Sequence, residues 1–600
     1  MTLLQLLDAR RRFAATDPAL AALDVPPLDS DTLCSHARRT AVALRKRGIE
    51  RDDVVAVVMP NGPQMATAFL GVSAAAICAP LNPAYTADEF AFYLSDLPAK
   101  ALLIAGTLDS PARTVANMRG IPVLEATWNA NDAAGLFSLE GADGDWKDDF
   151  DEATDDDIAL VLHTSGTTSR PKMVPLTHAN LCASARNIAR TLDLTRDDRC
   201  LNVMPLFHIH GLVGALLSSL AAGGSVVCTP GFTGMRFFDW LERFEPTWYT
   251  AVPTMHRIVV SRALAYKSLT KSLRFIRSSS AALPRATRQE LEQVFQAPVI
   301  EAYGMTEAAH QIASNPLPPR IRKDGTVGIP AGPEVVVLDA DGQPVSVGVR
   351  GEVAIRGINV TRGYVRNPDA NAAAFTDGWL RTGDEGLLDE DGYLTILGRL
   401  KEVINRGGEK ISPLEVDDAL MAHPSVEQAI TFSAPHASLG EEVAAAVVLR
   451  PDMSVSERQL REFVGMRLAH FKVPKRVVFV DSIPLGPTGK PQRAGLAQRL
   501  DISIDSTAAT SPAYVSPRTA VEEILASIWV SLMPSETVGV NENFFYAGGD
   551  SALAAQFVAR VRDTLSIDMS LLTFFDNPTI AALASFVEGE LARERENGRP

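Results

Sequence analysis

Between about residues 41 and 400, short apolar runs alternate with stretches of helical periodicity, and this alternation restricts the fold more than any other feature of the chain. Runs centred on 54–59, 101–104, 158–162, 225–228, 275–276 and 299–300 read as strands, and stretches such as 64–76 and 285–295 read as helices between them. Continuous apolar strands bury both faces, so an α/β domain is expected, with parallel sheets covered by helices. After Gly332 the texture changes to short alternating strands at 334–338, 351–356 and 393–397 with glycine turns, as in a small β-subdomain. Six hundred residues exceed what a single core supports. A second unit opens at Gly398, with a helix at 413–422, a strand at 444–449 and a helix at 457–468, a compact α+β pattern. Residues 501–516 are rich in Ser, Thr, Ala and Pro and read as a linker. Helical periodicity then dominates at 521–531, 551–565 and 579–592. The expected division is a large domain over 1–397, a small domain over 398–500, a linker over 501–516 and a helical bundle over 517–593.

Charge excludes some partners. Acidic side chains outnumber basic ones 72 to 57, for a net −15, which argues against nucleic acid or an anionic membrane surface as the main partner. Residues 517–600 alone carry 12 acidic and 6 basic side chains, so the bundle is acidic. The uncharged run from Gly211 to Cys228 is long enough to raise a membrane span, but Ser218-Ser219 and Gly223-Gly224 divide it into a short helix and a strand. Five scattered cysteines without C-x-x-C spacing, and a start lacking a basic-then-apolar leader, lead us to expect a cytoplasmic protein with reduced thiols.

The chemistry concentrates in Thr164-Ser-Gly-Thr-Thr-Ser-Arg-Pro-Lys-Met-Val174, where eight of eleven positions are a hydroxyl, a cation or glycine. It follows an apolar strand, and Thr177 can cap a helix beginning near His178. Backbone N–H groups, hydroxyls and Lys172 converging on one place suit phosphate. The glycine–lysine spacing of a Walker A loop is absent. Further along stand Glu301-Ala-Tyr-Gly-Met-Thr-Glu307, Trp379-Leu-Arg-Thr-Gly-Asp384, Gly398-Arg399 and Pro487-Thr-Gly-Lys490.

In this order and spacing, residues from about 3 to 500 resemble the adenylate-forming superfamily of acyl-CoA synthetases, luciferases and peptide-synthetase adenylation domains. The resemblance implies ATP and Mg²⁺ as cofactors and assigns roles by motif. Thr164, Ser165, Gly166, Thr167, Thr168 and Lys172 would cradle the phosphates. Tyr303 would stack on adenine, Thr306 would touch the α-phosphate and Glu307 would hold the metal. Asp384, assisted by Arg399, would bind the ribose, and Lys490 would bridge the substrate carboxylate and α-phosphate. The small domain would be mobile, with Lys401 as hinge and Gly407-Gly408 lining a thiol channel. Two positions depart from the family pattern. Ser169 and Met173 stand where glycines are usual, and Met173 either slows the enzyme or packs under the loop.

Asn543-Phe-Phe-Tyr-Ala-Gly-Gly-Asp-Ser-Ala552 resembles the 4′-phosphopantetheine attachment site of carrier proteins, a separate four-helix bundle with Ser551 carrying the arm. Pro205-Leu-Phe-His-Ile-His-Gly211 takes the acyl-CoA-synthetase form and lacks the aspartate usual where an amino acid is chosen. Within the superfamily, the segments 162–172, 248–254, 274–280 and 308–317 resemble oxalate–CoA ligases. That resemblance implies that His210, Ser280 and His310 hold a second carboxylate. The His208-x-His210 pair lacks a third ligand for zinc. The expected activity is ATP-dependent loading of a small, polar or short- to medium-chain acid onto the protein's own carrier. A phosphopantetheinyl transferase and a downstream acyl-accepting enzyme are the expected partners. Rival readings are an acyl-CoA ligase using free CoA in the same channel, a minimal nonribosomal peptide synthetase module, and a carrier protein whose adenylation site is dead.

Overall fold

The computed structural model describes residues 1–139, 151–164, 171–263, 273–407, 409–436, 439–485, 492–493, 495–502, 515–533, 537–542, 544 and 551–596. Ser165, Gly166, Thr167, Thr168, Ser169, Gly408 and Lys490 lie outside them, as does most of the expected linker. Two compact units result, Met1–Lys401 with Pro484–Gln492, and Glu402–Ile483 with Arg493–Pro600.

The first unit is built on two large sheets and a smaller one. Strands Val54–Val58, Ile77–Pro80, Ala99–Ala105 and Val123–Thr127 pair in parallel, with Ile158–Thr164 joining beside Ile77–Pro80. Val54–Val58 is buried at all five positions, as a strand covered on both faces must be. The second sheet places Ser225–Cys228, Arg199–Asn202, Trp248–Ala251, Phe275–Ser279 and Val299–Met305 in parallel succession. His310–Ser314 then closes that sheet's functional end as an antiparallel neighbour of Val299–Met305. A smaller antiparallel sheet contains Glu334–Leu338, Gly351–Arg356, Trp379–Leu388 and Leu394–Arg399.

The phosphate loop departs in one respect from the strand–loop–helix expectation. Lys172–Thr177 is itself a strand, antiparallel to Ile158–Thr164, so a hairpin arm separates the loop from the helix His178–Thr191. Thr177 does cap that helix, accepting from Asn180 N in a capping box. Met173 is buried in the core and its carbonyl accepts from Val365 N at 3.0 Å.

The uncharged run also has a specific form. His210–Leu217 is a π-helix, Ser218–Ala221 a short α-helix and Ser225–Cys228 a buried strand. Among the described residues no helix is long and apolar enough to cross a membrane.

In the second unit, a long hairpin of Val426–His436 and Gly440–Leu449 carries the sheet, and helices Pro413–Met421 and Glu457–Gly465 bury their apolar sides in the same core. Arg493, three residues beyond Lys490, is anchored by Asp417 at 2.5 Å and Glu402 at 3.2 Å. Four helices, Ala520–Leu532, Ser551–Leu565, Leu571–Asp576 and Ile580–Glu596, share a separate core in which Trp529, Phe544, Phe557 and Phe574 meet edge to face or tilted.

Burial holds three histidines of the first unit neutral, lowering His36 and His178 to about 4 and His256 to about 3. His178 also accepts the Leu3 N–H at 3.2 Å, tying down the first helix. Each folded pKa lies below the unfolded value, about 6.5. The stability this represents is complete above pH 6.5 and is lost as pH falls toward 4. Thermal melts at pH 7 and pH 5 should show the first unit's midpoint dropping by roughly 5–10 °C. His178→Gln should shrink that drop.

Candidate active site

The first half of the site grows out of the Ile158–Thr164/Lys172–Thr177 hairpin, where Thr164 and Lys172 are register partners on either side of the phosphate loop. Lys172 Nζ lies 4.4 Å above the Tyr364 ring. The Tyr364 hydroxyl donates to Glu307 Oε1 at 3.0 Å. Glu307 is only 6% exposed, and burial pushes its carboxyl upward against the pull of Tyr364, Arg399 and Lys172. Burial likewise lowers Lys172, opposed by Glu307 and assisted by exposed Lys401. Two cations thus act on one buried carboxylate and a third, Lys401, on one of them, an arrangement suited to polyphosphate. A single carboxylate beside phosphate oxygens also fits magnesium, which keeps most of its shell for phosphate and water.

Asp384 and Arg399 are set by strand register. Asp384 and Arg399 face each other across Trp379–Leu388 and Leu394–Arg399. Arg399 Nε meets Asp384 Oδ1 at 2.9 Å, and the Tyr303 hydroxyl donates to Asp384 Oδ2. Thr306 starts the single 3₁₀ turn Thr306–Ala308 directly after the strand that bears Tyr303. Tyr303, Glu307, Asp384, Arg399 and Lys172 therefore form one connected group. Lys401 is the last residue before the boundary between the two units.

The second half is more enclosed. His210 opens the π-helix and is fully buried. Its Nδ1 lies 3.1 Å from Ser280 Oγ and its Nε2 2.6 Å from Thr250 Oγ1. His310, 2% exposed, stacks on His210 with centroids 4.7 Å apart and an interplanar angle of 24°. The three residues assigned to a second carboxylate thus come together from segments seventy and thirty positions apart in the chain. Their placement demands unusual backbone: Ser280, Ala309 and His310 all have positive φ, at 75°, 48° and 98°. Such strain persists only where surrounding contacts over-determine it. Here Ser184 Oγ donates to Ala309 O, and Asn359 Nδ2 donates to the carbonyls of Ala308 and Gln311.

Glycines make the approach possible. A Cβ on Gly214 would lie 2.7 Å from the His310 ring, and one on Gly304 would lie 1.6 Å from His310 O. The glycine of the Tyr303-Gly-Met-Thr-Glu307 motif is therefore the point where the strand bearing Tyr303 passes His310. Outside this enclosure, a cleft of about 560 Å³ is lined by Asn61, Val203, Pro205, Phe207, Phe232 and Met255. The two stacked histidines and Ser280 are not among its lining residues.

Sequence reasoning missed Tyr364, Thr250, Asn359 and Arg277. The signal for Arg277 was present: a charged residue inside the apolar strand Phe275–Ser279, every position of which is buried. Lys490 and most of the loop lie outside the described residues, while Ser551 begins the helix Ser551–Leu565.

A cation-bearing group around Glu307, joined by the strands Val299–Met305 and His310–Ser314 to a buried polar enclosure, fits an adenylate-forming ligase. The chain belongs to the AMP-binding enzyme family, which matches residues 31–365. The AMP-binding enzyme C-terminal domain matches 415–490, and a phosphopantetheine attachment site matches 523–587. The protein is thus an ATP-dependent acid–thiol ligase with a carrier domain. It is similar to an oxalate–CoA ligase of Arabidopsis thaliana, 47% identical over 461 residues, 75% of this chain and 89% of that one. A sulfoacetate–CoA ligase of Cupriavidus necator is 37% identical over 453 residues, 75% of this chain and 88% of that one. Among solved structures, ATP-bound MatB from Rhodopseudomonas palustris superposes with a TM-score of 0.75 at 31% identity, covering 83% of this chain and 99% of that one.

Gly214→Ala tests the packing behind His310. The added methyl should cost about 1–3 kcal/mol through overpacking, read as a lower thermal midpoint. In ATP–pyrophosphate exchange the acid KM should rise while the ATP KM holds.

Proposed function

We propose that this ligase activates a small dicarboxylic acid, oxalate foremost, and passes the acyl group to a 4′-phosphopantetheine arm on its own Ser551. The observation that carries the acid's identity is the buried stack of His210 and His310 beside Ser280, three polar groups where a long acyl chain would need an apolar wall. Relatives named for oxalate and sulfoacetate, both small dianions, support the same reading.

In the first step an acid oxygen attacks the α-phosphorus of ATP, the bond to pyrophosphate breaks, and an acyl-adenylate remains. Negative charge meets negative charge in that approach, so neutralisation is the protein's main task. Thr164, Ser165, Gly166, Thr167, Thr168 and Lys172 hold the phosphates and Thr306 the α-phosphate. Lys490 bridges the α-phosphate and the acid. Tyr303 flanks the adenine, while Asp384 and Arg399 hold the ribose. Glu307 would hold Mg²⁺, whose charge screens the phosphate oxygens. Lys401, at the boundary between the two units, serves as the hinge.

In the second step a thiol attacks the acyl carbonyl and AMP leaves. The arm supplies that thiol at high effective concentration because it is tethered. A phosphopantetheinyl transferase installs it, and a downstream biosynthetic enzyme accepts the acyl group. A second reading, release as acyl-CoA, is favoured by the CoA-ligase names of the relatives.

The test uses the pantetheinylated full chain with ATP and a panel of oxalate, malonate, fatty acids and amino acids, read by intact mass. An oxalate-dependent mass gain that vanishes in Ser551→Ala, while ATP–pyrophosphate exchange persists, is expected. Lys490→Ala should reduce exchange by at least about a hundredfold with the fold intact. Oxalyl-CoA formation without any protein adduct would replace carrier loading with the second reading.

A further inference from the structure

Arg277 lies at the centre of the strand Phe275–Ser279 and is completely buried. Its register partners are Thr250 on one side and Ile300 on the other, so it shares a row with the threonine that contacts His210. Nη2 donates to Gln311 Oε1 at 3.2 Å, and Nη1 lies 2.9 Å from His310 Nε2. A guanidinium has no acceptor, so Nε2 accepts and the ring proton of neutral His310 resides on Nδ1. Gln311 is itself fixed by donating to Ala331 O at 3.0 Å.

Among the described residues no carboxylate forms an ion pair with Arg277, whereas Arg274, Arg288, Arg322 and Arg399 each meet one. Burial lowers the guanidinium to about 10, which leaves it charged at neutral pH. Among the described residues its Nε has no hydrogen-bond partner. A buried cation without a counter-ion is costly, and folds retain one where something else compensates it. Through His310 it reaches the His210–Ser280–His310 enclosure.

We propose that Arg277 is a specificity-determining positioning residue, whose charge makes this enclosure select an acid bearing a second anionic group over its neutral isostere. The inference rests on the dicarboxylic-acid reading of the site. Arg277 acts through His310, whose orientation and proton position it fixes, and its uncompensated charge is neutralised when the second carboxylate arrives. An acid carrying an amide in place of that carboxylate fills the same volume and leaves the buried cation unanswered.

The experiment measures kcat/KM in ATP–pyrophosphate exchange for oxalate against oxamate and malonate against malonamate. Wild type, Arg277→Gln and Arg277→Lys are compared as full chains, with thermal melts alongside. Gln keeps a donor and loses the charge, whereas Lys keeps the charge. Wild type should prefer the dianion of at least one pair by about tenfold or more. Arg277→Gln should lower that preference at least about tenfold, mainly through the dianion's KM, and Arg277→Lys should retain it within about threefold. An unchanged preference in Arg277→Gln, or an equal loss for both members of a pair in both variants, would overturn the charge role. Should Arg277→Gln fail to fold, a folded Arg277→Lys that has lost the preference overturns it equally. Absence of any dianion preference in wild type defeats the dicarboxylic-acid reading instead, before any variant is considered.

Discussion

At Gly304 the backbone of one strand runs so close to the carbonyl of His310 that a Cβ there would stand 1.6 Å from the oxygen. Both halves of the site hang on that contact. The strand Val299–Met305 and the turn after it carry Tyr303, Thr306 and Glu307, and the returning arm begins with His310. The return is made through consecutive left-handed residues, Ala309 and His310, pinned by Ser184 and Asn359. A π-helix completes the enclosure from the other side, and its Gly214 leaves room for the His310 ring. Such helices are rare and often occur at functional sites. The molecule thus brings the segment bearing Tyr303 and Glu307 beside His310 by backbone geometry rather than by long side chains.

Electrostatics divides the two halves. Around Glu307, Lys172 and Arg399 act on the buried carboxylate and Lys401 on Lys172, so positive charge prevails locally in a chain whose net charge is −15. In the other enclosure two stacked histidine rings and the hydroxyls of Ser280 and Thr250 meet, and the charge stands one layer back at Arg277. A cation set behind a polar layer exerts its field without forming a direct ion pair, which permits an acid to enter and leave.

The large sheets were legible because fully buried parallel strands are continuous apolar runs, and 54–58, 158–164, 225–228 and 275–279 fall where such runs stand. Thr177 was legible as a cap because its hydroxyl serves only local backbone. The strand Lys172–Thr177 was not, since it is short and holds Pro175, which is tolerated there because the strand lies at the sheet's edge. An all-apolar run does not reveal its own pitch, so the π-helix at His210–Leu217 was read simply as a helix. His210, Ser280 and His310 were found through resemblance of their segments, and their meeting depends on sheet order, which no local pattern encodes. Arg277 was passed over for the same reason: its partners lie thirty-three and thirty-four residues away on another strand.

The two glycine contacts also determine how a binding site of this build can diversify. Neither the π-helix at Gly214 nor the strand at Gly304 has room for a bulkier residue against His310. Ser280, by contrast, sits half-exposed at the end of its strand. A lineage acquiring a new acid would therefore remodel that rim and leave the hairpin bearing Tyr303 and Glu307 untouched.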